Sequence, residues 1–557
     1  MLPNFFYMPP QTKKSNQVLL VVVFSLAVFV LLFTFRSFDD NRLTNWSWVF
    51  TVTTPWKIYL ILLIGIILAY MFSRFSLSPT FLFIASFAFA TLFWQEPEVI
   101  VDAGRYFTQA KHIEMYGIGY FVKEWGRGVF SWTDLPLMPF LYGVIFKIFG
   151  ETRLFIQVFN TCLFSLTVLL TYQIGKDLWD DEVGIAGGVL LMGIPYLFTQ
   201  VPLMLVDTAS MFFLTSSVFT FRRALVRGKI LWIGLSSLAI FLSILSKYSL
   251  LPMLSVLSIV LLVEAKNNKP AIQRAILIVF IAGAVSVAIF LYKYDFFRQQ
   301  FKLIFSYQKA GLQRWSESYL STFLFQIHPF ITAFSVYSIY RAFKKRDLKY
   351  AVICYLPLLM VLMDIKRIRY VIPLFPMLTL MASYGLREIR AVEVRRFIML
   401  AVVTSSLAVA IFAYLPFLRS MTAENLKEAG RFIDSLDVDG VEVFTLEGDS
   451  PVNPAISVSL FDIHTRKRIL YNYHPAQPPE DVLTSALRFT WEYENPKYYV
   501  YDEKDISISK AVVIISGRAD SDLPQHIRDK IKGYNSKEFI STPDVFRYQT
   551  MVKVYWL

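Results

Sequence analysis

Four charged side chains stand where long apolar stretches of this sequence end, namely the acids Asp102 and Asp207 and the bases Lys247 and Arg369. Ionisable groups are expensive at membrane depth, so charges gathered at the ends of apolar stretches point to a function. A carboxylate beside cations suits a transfer reaction: the acid takes a proton from a hydroxyl group, and the cations stabilise a departing phosphate. We therefore predict Asp102 as the general base and Asp207 as a second acid.

Other polar residues beside these four are predicted to contact the substrate. The candidate substrate-binding residues are Arg105, Tyr106, Lys247, Lys366, Arg367, Arg369 and Tyr370. The sequence specifies no cofactor. If a divalent metal ion is used, Asp102 and Asp207 are the residues that would hold it. A carboxylate beside a bound lipid phosphate suits the transfer of a sugar. A base of nearly normal pKa would serve in that reaction, because an oxocarbenium-like sugar donor needs little activation of the nucleophile.

Each candidate also has a purely structural interpretation. Asp207 alone is typical of a helix N-cap, and Asp102 could cap a helix over 103–116. The basic residues of 366–369 could extend their charges from an interface loop into water. His112, taken alone, is typical of the surface of a helix, although contact with the substrate is the alternative. Convergence of acids and bases on one side of the membrane favours the chemical role for the charged set.

The composition excludes a soluble enzyme. Of 557 residues, 55% are hydrophobic and only 17% are charged, against about 25% in an ordinary soluble domain. The net charge of +13 is explained by loops retained in the cytoplasm rather than by nucleic-acid binding. Two cysteines, Cys162 and Cys354, lie in apolar runs, so no disulfide framework is expected.

Apolar stretches of sufficient length predict an all-α polytopic membrane protein with about thirteen transmembrane helices. The stretches are 18–35, 56–72, 79–94, 154–174, 184–200, 208–222, 230–246, 249–264, 275–292, 320–340, 350–364, 370–386 and 397–416. Two further segments are predicted as helices beside the spans: 135–149 as a juxtamembrane or re-entrant helix, and 293–319 as a juxtamembrane helix that lies in the interface. The first is short and interrupted by prolines, and the second is amphipathic.

Basic loops set the orientation. Four clusters are separated from one another by pairs of spans, and they lie in 222–229, 266–274, 341–349 and 387–396. Short basic loops stay in the cytoplasm, so the N-terminus is predicted inside and the chain after residue 419 outside. The basic run 366–369 then lies on the outer side against this rule, and a lipid phosphate is its natural counter-charge.

The chain divides into a membrane domain, 1–419, and an extracytoplasmic tail, 420–557. A long external loop, 95–153, belongs to the first domain and is too long to be a mere connection. The tail is predicted as a small α/β domain. Its predicted helices are 425–436 and 523–531, and its predicted strands are 441–446, 468–471, 511–516 and 552–556.

Several of these segments resemble a known family. The segments are Val101-Asp-Ala-Gly-Arg-Tyr, Leu135-Pro-Leu-Met-Pro-Phe-Leu-Tyr-Gly, Arg153-Leu-Phe-Ile-Gln-Val-Phe-Asn, Leu205-Val-Asp-Thr-Ala, Leu245-Ser-Lys-Tyr-Ser and Ile368-Arg-Tyr-Val-Ile-Pro-Leu-Phe-Pro. In this order, over roughly 95–390, they are similar to the GT-C glycosyltransferases, in the branch of the protein mannosyltransferases and aminoarabinose transferases.

The resemblance implies a polyprenyl-phosphate-linked sugar as the donor and transfer outside the cytoplasm. It places the acid of the family's first loop at Asp102, with Ala103 where the family usually has Glu. Asp134 stands where the family has a basic residue or His before its prolines. Lys247 corresponds to the Lys of a Thr-Lys-Gly motif, which here reads Ser-Lys-Tyr, and Arg369 to the family's Arg-Tyr pair.

The function predicted from the sequence is therefore a membrane-bound glycosyltransferase, of hexosyl or pentosyl type. It is expected in the plasma membrane or an equivalent membrane, with membrane lipid, the lipid-linked donor and an unknown acceptor (protein, lipid or glycan) as partners. A secondary transporter or lipid flippase is the main alternative, and a non-catalytic assembly subunit is the third. One-sided charges and the absence of an evident inverted repeat disfavour a transporter.

Overall fold

Helices follow the apolar stretches through most of the first 419 residues. The computed structural model describes residues 13–32, 54–266, 268–304, 318–419, 423–446, 452–473, 477–482, 486–501, 509–517, 523–540 and 550–557. The α-helices before the tail are α1 (Lys13–Leu32), α2 (Pro55–Phe72), α3 (Pro79–Thr91), α4 (Ile100–Glu124), α5 (Leu137–Phe149), α6 (Arg153–Leu178), α7 (Asp181–Leu191), α8 (Pro195–Phe198), α9 (Asp207–Arg227), α10 (Ile230–Ser246), α11 (Leu250–Met253), α12 (Val256–Ala265), α13 (Pro270–Tyr292), α14 (Tyr294–Leu303), α15 (Pro329–Lys345), α16 (Tyr350–Leu362), α17 (Ile368–Val371), α18 (Phe375–Leu386), α19 (Val392–Val409) and α20 (Leu415–Arg419).

By length and composition, three helical segments of the described chain could cross a membrane unaided. They are Arg153–Leu178, Pro270–Tyr292 and Val392–Tyr414, the last continuing α19 through a π-helical turn. Shorter apolar helices occupy most of the other predicted spans. The fold is therefore mainly helical, and the count of thirteen spans stays a prediction.

Four further predicted spans are not continuous α-helices, and one of them, 370–386, is interrupted by a 3-10 turn at Ile372–Leu374. Stretch 184–200 breaks between Leu191 and Pro195, and stretch 249–264 is split into α11 and α12 after Pro252. Stretch 320–340 begins as a π-helix and breaks at His328, just before Pro329. Proline lacks a backbone N–H and disfavours helical geometry in the preceding residue, which the apolar pattern alone does not reveal.

The charged loops between the helices lie at the two opposite ends of the bundle. Helix α9 starts at Asp207 and ends at the first basic cluster, and α10 returns to Lys247. At the basic end, Arg223 lies 2.7 Å from Asp177, and Arg387 lies 2.7 Å from Asp180. The four predicted candidates for chemistry thus lie at the end opposite the basic clusters. Which end faces the cytoplasm stays a prediction.

The long loop 95–153 folds into two packed helices, α4 and α5. Helix α4 is kinked at Gly117, whose φ of +85° favours glycine. The second juxtamembrane segment is helical as α14, where Phe296 and Phe297 are buried against Trp125 and its neighbours. Residues 305–317 of that segment lie outside the described residues.

The tail contains a mixed sheet. The strands within the described residues are β1 (Gly440–Thr445), β2 (Arg468–Leu470), β3 (Ser509–Ser516), β4 (Asn535–Ile540) and β5 (Met551–Trp556), in the order β2-β1-β3-β5-β4. Strand β1 is parallel to β2 and β3, and β5 is antiparallel to β3 and β4. The helices are α21 (Ala423–Asp434), α22 (Ile456–Asp462) and α23 (Gln525–Lys530).

The four predicted strands and two predicted helices of the tail coincide with observed elements, whereas β4 and α22 were missed. Strand β4 reads Asn-Ser-Lys-Glu-Phe-Ile and is mostly exposed, so it carries little apolar signal. Helix α22 is short, but it packs directly on α4. A Cβ atom at Gly104 would lie 2.7 Å from the Ser459 hydroxyl.

A buried network of ion pairs and hydrogen bonds links the tail to the long loop. The Lys111 ammonium lies 2.6 Å from Asp462 and 3.0 Å from Glu151. Tyr499 donates a hydrogen bond of 2.6 Å to Asp462, and Tyr498 donates one of 3.0 Å to the Thr108 carbonyl on α4. Buried charges are tolerated when they are paired and hydrogen-bonded, so this network holds α4 between the bundle and the tail.

The close contact of α4 with α5 predicts a size limit at Gly143. A Cβ there would lie 2.6 Å from the Ala110 carbonyl oxygen and 2.8 Å from the Ile113 side chain. We expect Gly143→Ala to lower the free energy of unfolding by about 1–3 kcal/mol, because the two helices must move apart. Thermal unfolding of the full chain in detergent measures the effect.

Gly119→Ala is the matched control, because Gly119 is exposed on α4 and a Cβ atom added there would meet no other atom within 4 Å. It should leave stability unchanged or raise it by up to about 1 kcal/mol, since alanine favours helix. Equal melting temperatures for the two variants would contradict the packing described for α4 and α5.

Candidate active site

The Arg369 side chain joins the two predicted acids. Its Nε and Nη2 atoms lie 3.2 Å and 2.9 Å from Oδ2 of Asp207, and its Nη1 atom donates to Oδ2 of Asp102. Asp102 lies in the first turn of α4, Asp207 opens α9, and Arg369 lies in the short helix α17. Three segments distant in sequence therefore meet at one guanidinium group.

Lys247 completes the predicted set. Its Nζ atom lies 2.6 Å from Oδ1 of Asp207 and 4.9 Å from the centre of the Tyr370 ring. Lys247 follows the last turn of α10 with an extended backbone (φ −157°, ψ 132°), which ends the helix. Asp207 thus binds a cation at each of its two oxygens.

A second carboxylate pair extends the cluster along α4. The Arg105 guanidinium lies 3.0 Å from Asp102 and 3.2 Å from Asp134. Gln109, one turn further along α4, donates a hydrogen bond of 3.2 Å to Asp134. The site therefore alternates acids and bases from Asp134 through to Lys247, a charge-balanced chain of ion pairs.

The two predicted acids differ in accessibility. The Asp207 side chain is fully buried, whereas 21% of the Asp102 side chain is exposed. Burial would raise the pKa of the Asp102 carboxyl, but the guanidinium groups of Arg369 and Arg105 outweigh it and hold that pKa well below its usual range. The pKa of Asp102 thus lies below the nearly normal value that would suffice for such a base. Asp102 is charged at neutral pH and is the carboxylate that a ligand can reach.

The other predicted substrate-binding residues lie at different distances from this centre. Arg367 lies 5.8 Å from the centre of the Tyr370 ring and adds its positive charge to the field at Asp102. Tyr106 is buried beside Arg105. Lys366 points elsewhere: it pairs with the exposed Asp364 at 3.2 Å. The basic run 366–369 is thus divided, because successive residues leave an irregular segment in different directions.

Glu98, a fully buried carboxylate that positions the site, is not among the predicted site residues. Its Oε1 accepts a hydrogen bond of 2.6 Å from Arg153, and its Oε2 accepts one of 2.9 Å from the Met204 backbone N–H. These contacts join the segment before Asp102 to the segment before Asp207. A charge in the proline-interrupted run Gln95-Glu-Pro-Glu, next to an apolar stretch, was the available signal.

The capping interpretations of the two acids are wrong. Helix α9 has Val206 at its N-cap and α4 has Val99, and neither helix is capped by an aspartate side chain. Both carboxylates face basic groups from other segments instead. His112 is not on the helix surface either: it is 3% exposed and stacks on Tyr120, since the tail covers this part of α4.

A divalent metal ion does not fit between Asp102 and Asp207. The guanidinium of Arg369 contacts both carboxylates, so a fixed positive charge already occupies the position that a cation would take. Within the described chain, no group of three or more His, Cys, Asp or Glu side chains is placed to hold a metal ion.

Part of this region matches a known family. Residues 134–294 match the family model of dolichyl-phosphate-mannose-protein mannosyltransferase. No curated protein matches the chain.

Two solved structures of ArnT share the fold. ArnT from Cupriavidus metallidurans bound to undecaprenyl phosphate has a TM-score of 0.54 at 11% identity, covering 85% of this chain and 97% of that chain. Its apo form has a TM-score of 0.53, also at 11% identity and with the same coverage of both chains. An oligosaccharyltransferase of Archaeoglobus fulgidus in complex with zinc and sulfate has a TM-score of 0.42 at 14% identity. The match covers 78% of this chain and 67% of that chain. The family match and the shared ArnT fold confirm the resemblance to GT-C glycosyltransferases of the protein mannosyltransferase type.

The burial of Asp207 predicts a large effect on stability. We expect Asp207→Ala to lower the free energy of unfolding by about 3–5 kcal/mol, because Lys247 and Arg369 lose the carboxylate that compensates their charges. The melting temperature of the full chain in detergent reports the change.

Asp364→Asn is the matched control, because it removes the charge of a carboxylate that is 71% exposed and pairs with Lys366, and asparagine tolerates the left-handed backbone of this residue (φ +52°). Its expected cost is below about 1 kcal/mol, as for other surface ion pairs. If both variants melt together with the wild-type protein, Asp207 does not hold the site.

Proposed function

We propose that this protein is a glycosyltransferase that moves a sugar from a polyprenyl-phosphate-linked donor to an acceptor hydroxyl on the extracytoplasmic face of the membrane. The main support is the charged cluster around the buried Asp207, which binds Lys247 and Arg369, while Arg369 also binds Asp102. One exposed carboxylate beside two cations held in place is the arrangement that transfer from a phosphate-linked donor requires.

The donor phosphate is assigned to the cations of this cluster. Lys247 and Arg369 are 16% and 20% exposed, so each can reach a ligand while Asp207 keeps hold of it. A guanidinium group can bind phosphate through two parallel hydrogen bonds. The solved ArnT structure with the same fold contains undecaprenyl phosphate, which supports a phosphate-bearing polyprenyl lipid as the donor class.

Asp102 is assigned as the base. In the transfer step, the acceptor oxygen forms a bond to the anomeric carbon of the sugar, and the bond from that carbon to the phosphate oxygen breaks. The acceptor proton passes to the Asp102 carboxylate, and the electron pair of the broken bond leaves on the polyprenyl phosphate. The developing charge on the phosphate is stabilised by Lys247 and Arg369.

Donor binding would also activate the base. Arg369 now shares its guanidinium between Asp102 and Asp207, and this contact lowers the pKa of Asp102. A phosphate that draws the guanidinium away would leave Asp102 with fewer cationic partners and make it a stronger base. Asp207, with no exposed surface, is assigned a positioning role rather than that of a second catalytic acid.

Asp102→Asn tests the assignment of the base. The amide keeps the shape of the side chain but cannot accept the proton, so we expect transfer to fall by about 100-fold or more. The assay is sugar transfer by the full-length protein in membranes supplied with lipid-phosphosugar. Asp295→Asn, an exposed carboxylate at the start of α14, is the control and should keep wild-type turnover.

Two outcomes would contradict the proposal, one in this variant and one in the wild-type protein. Transfer at the wild-type rate in Asp102→Asn would show that another group is the base. Lipid movement across vesicles without any glycosylated product, in the wild-type protein, would favour the transporter interpretation instead.

The depressed pKa of Asp102 predicts an unusual acid limit. The pKa of Asp102 in the folded protein lies below the usual value of 3.8, and the carboxylate is charged at any pH above its pKa. Protonation of Asp102 should therefore not reduce kcat/KM until the pH falls below 3.8. In Arg105→Gln one lowering charge is lost while burial still raises the pKa, so the acid limb should move to higher pH. Arg127→Gln, exposed on the same loop, should leave the limb in place. Superimposable limbs in all three proteins would contradict the assignment.

A further inference from the structure

A cavity of about 220 Å³ opens at the basic end of the bundle, opposite the candidate active site. It lies among the loop before α3, the start of α7, the end of α18 and the start of α19. Its walls are mainly apolar, including Leu77, Ile185, Leu386 and Met399. Polar groups are confined to a few charged side chains and two serines.

The charged groups around the cavity are paired with one exception. Arg395 lies 2.8 Å from Glu182, and Arg387 lies 2.7 Å from Asp180. Asp181, also on the wall, accepts a hydrogen bond of 2.9 Å from Lys176.

Arg396 is the remaining cation on the cavity wall. It is half-buried in the second turn of α19, and no acid among the described residues pairs with it. The acids around the cavity are thus paired with other bases, and the guanidinium group of Arg396 is available to a ligand in the apolar cavity.

We propose that this cavity binds an anionic phospholipid, with the phosphodiester on Arg396 and part of an acyl chain along the apolar wall. A guanidinium group matches the geometry of phosphate oxygens, and basic pockets between helices on the cytoplasmic side are known to bind lipid headgroups. The mixed lining favours a lipid over a soluble anion, because a soluble anion would gain nothing from the apolar wall. The cavity is distinct from the candidate active site, since helix α18 begins shortly after Arg369 and reaches the cavity only at its other end.

Lipid retention measures this binding directly. The full-length protein is reconstituted in nanodiscs with equal amounts of phosphatidylglycerol and phosphatidylcholine, extracted, and its retained lipids are counted by native mass spectrometry. We expect the wild-type protein to retain phosphatidylglycerol selectively. Arg396→Gln should lower that selectivity about tenfold, the worth of one charged hydrogen bond.

Arg390→Gln is the matched control: it removes the same charge from the same basic cluster, 387–396, but Arg390 is exposed and does not line the cavity. It should leave retention unchanged. Equal losses in the two variants would show only general attraction to the basic loop and would overturn the proposal, as would equal retention of the two lipids by the wild-type protein.

A second variant tests the cavity without changing charge. Ser76 is exposed at its mouth, so Ser76→Trp should block entry and lower retention of phosphatidylglycerol without unfolding the bundle. Unchanged retention in this variant would overturn the proposal even if Arg396→Gln fails to fold. Soluble glycerol phosphate is added in a parallel sample, and displacement of the lipid by it would show that the site binds a free phosphate instead.

Discussion

The guanidinium group of Arg369 holds two carboxylates that reach it from distant parts of the chain, Asp102 and Asp207. Because Asp207 has no exposed surface, its charge must be compensated inside the protein, and Arg369 and Lys247 do this together. A buried charge without its partner is strongly destabilising. The ends of α4, α9 and α10 and the short helix α17 are therefore fixed relative to one another, and the site exists only in this arrangement.

The same constraint explains why the site lies at an end of the bundle. Backbone and side-chain polar groups are costly within apolar surroundings, so charges collect where helices stop. Glu98 strengthens this region by linking the segments before Asp102 and Asp207. The tail supports the helix that carries Asp102, because Asp462 binds Lys111 on α4.

The sequence predicted the central charges because they violate two simple rules: ionisable groups avoid apolar stretches, and bases avoid the outer side. Asp102, Asp207, Lys247 and Arg369 stood out for this reason and do meet. Lys366 obeyed the same pattern but pairs with Asp364, since pattern does not fix the direction of a side chain in an irregular segment. Glu98 and Asp134 were not predicted as site residues, because no motif or pattern in the sequence shows that Arg153 binds Glu98 or that Arg105 binds Asp134. Continuous helices were overestimated where prolines follow short apolar runs.

A structure of the full-length protein with a polyprenyl phosphate bound would test the central claim most directly. The proposal predicts phosphate oxygens within hydrogen-bonding distance of the Arg369 guanidinium and the Lys247 ammonium, with Asp207 still holding both cations and Asp102 released towards the acceptor side. A phosphate bound away from these two cations, or Arg369 still joined to both carboxylates in the lipid complex, would contradict it.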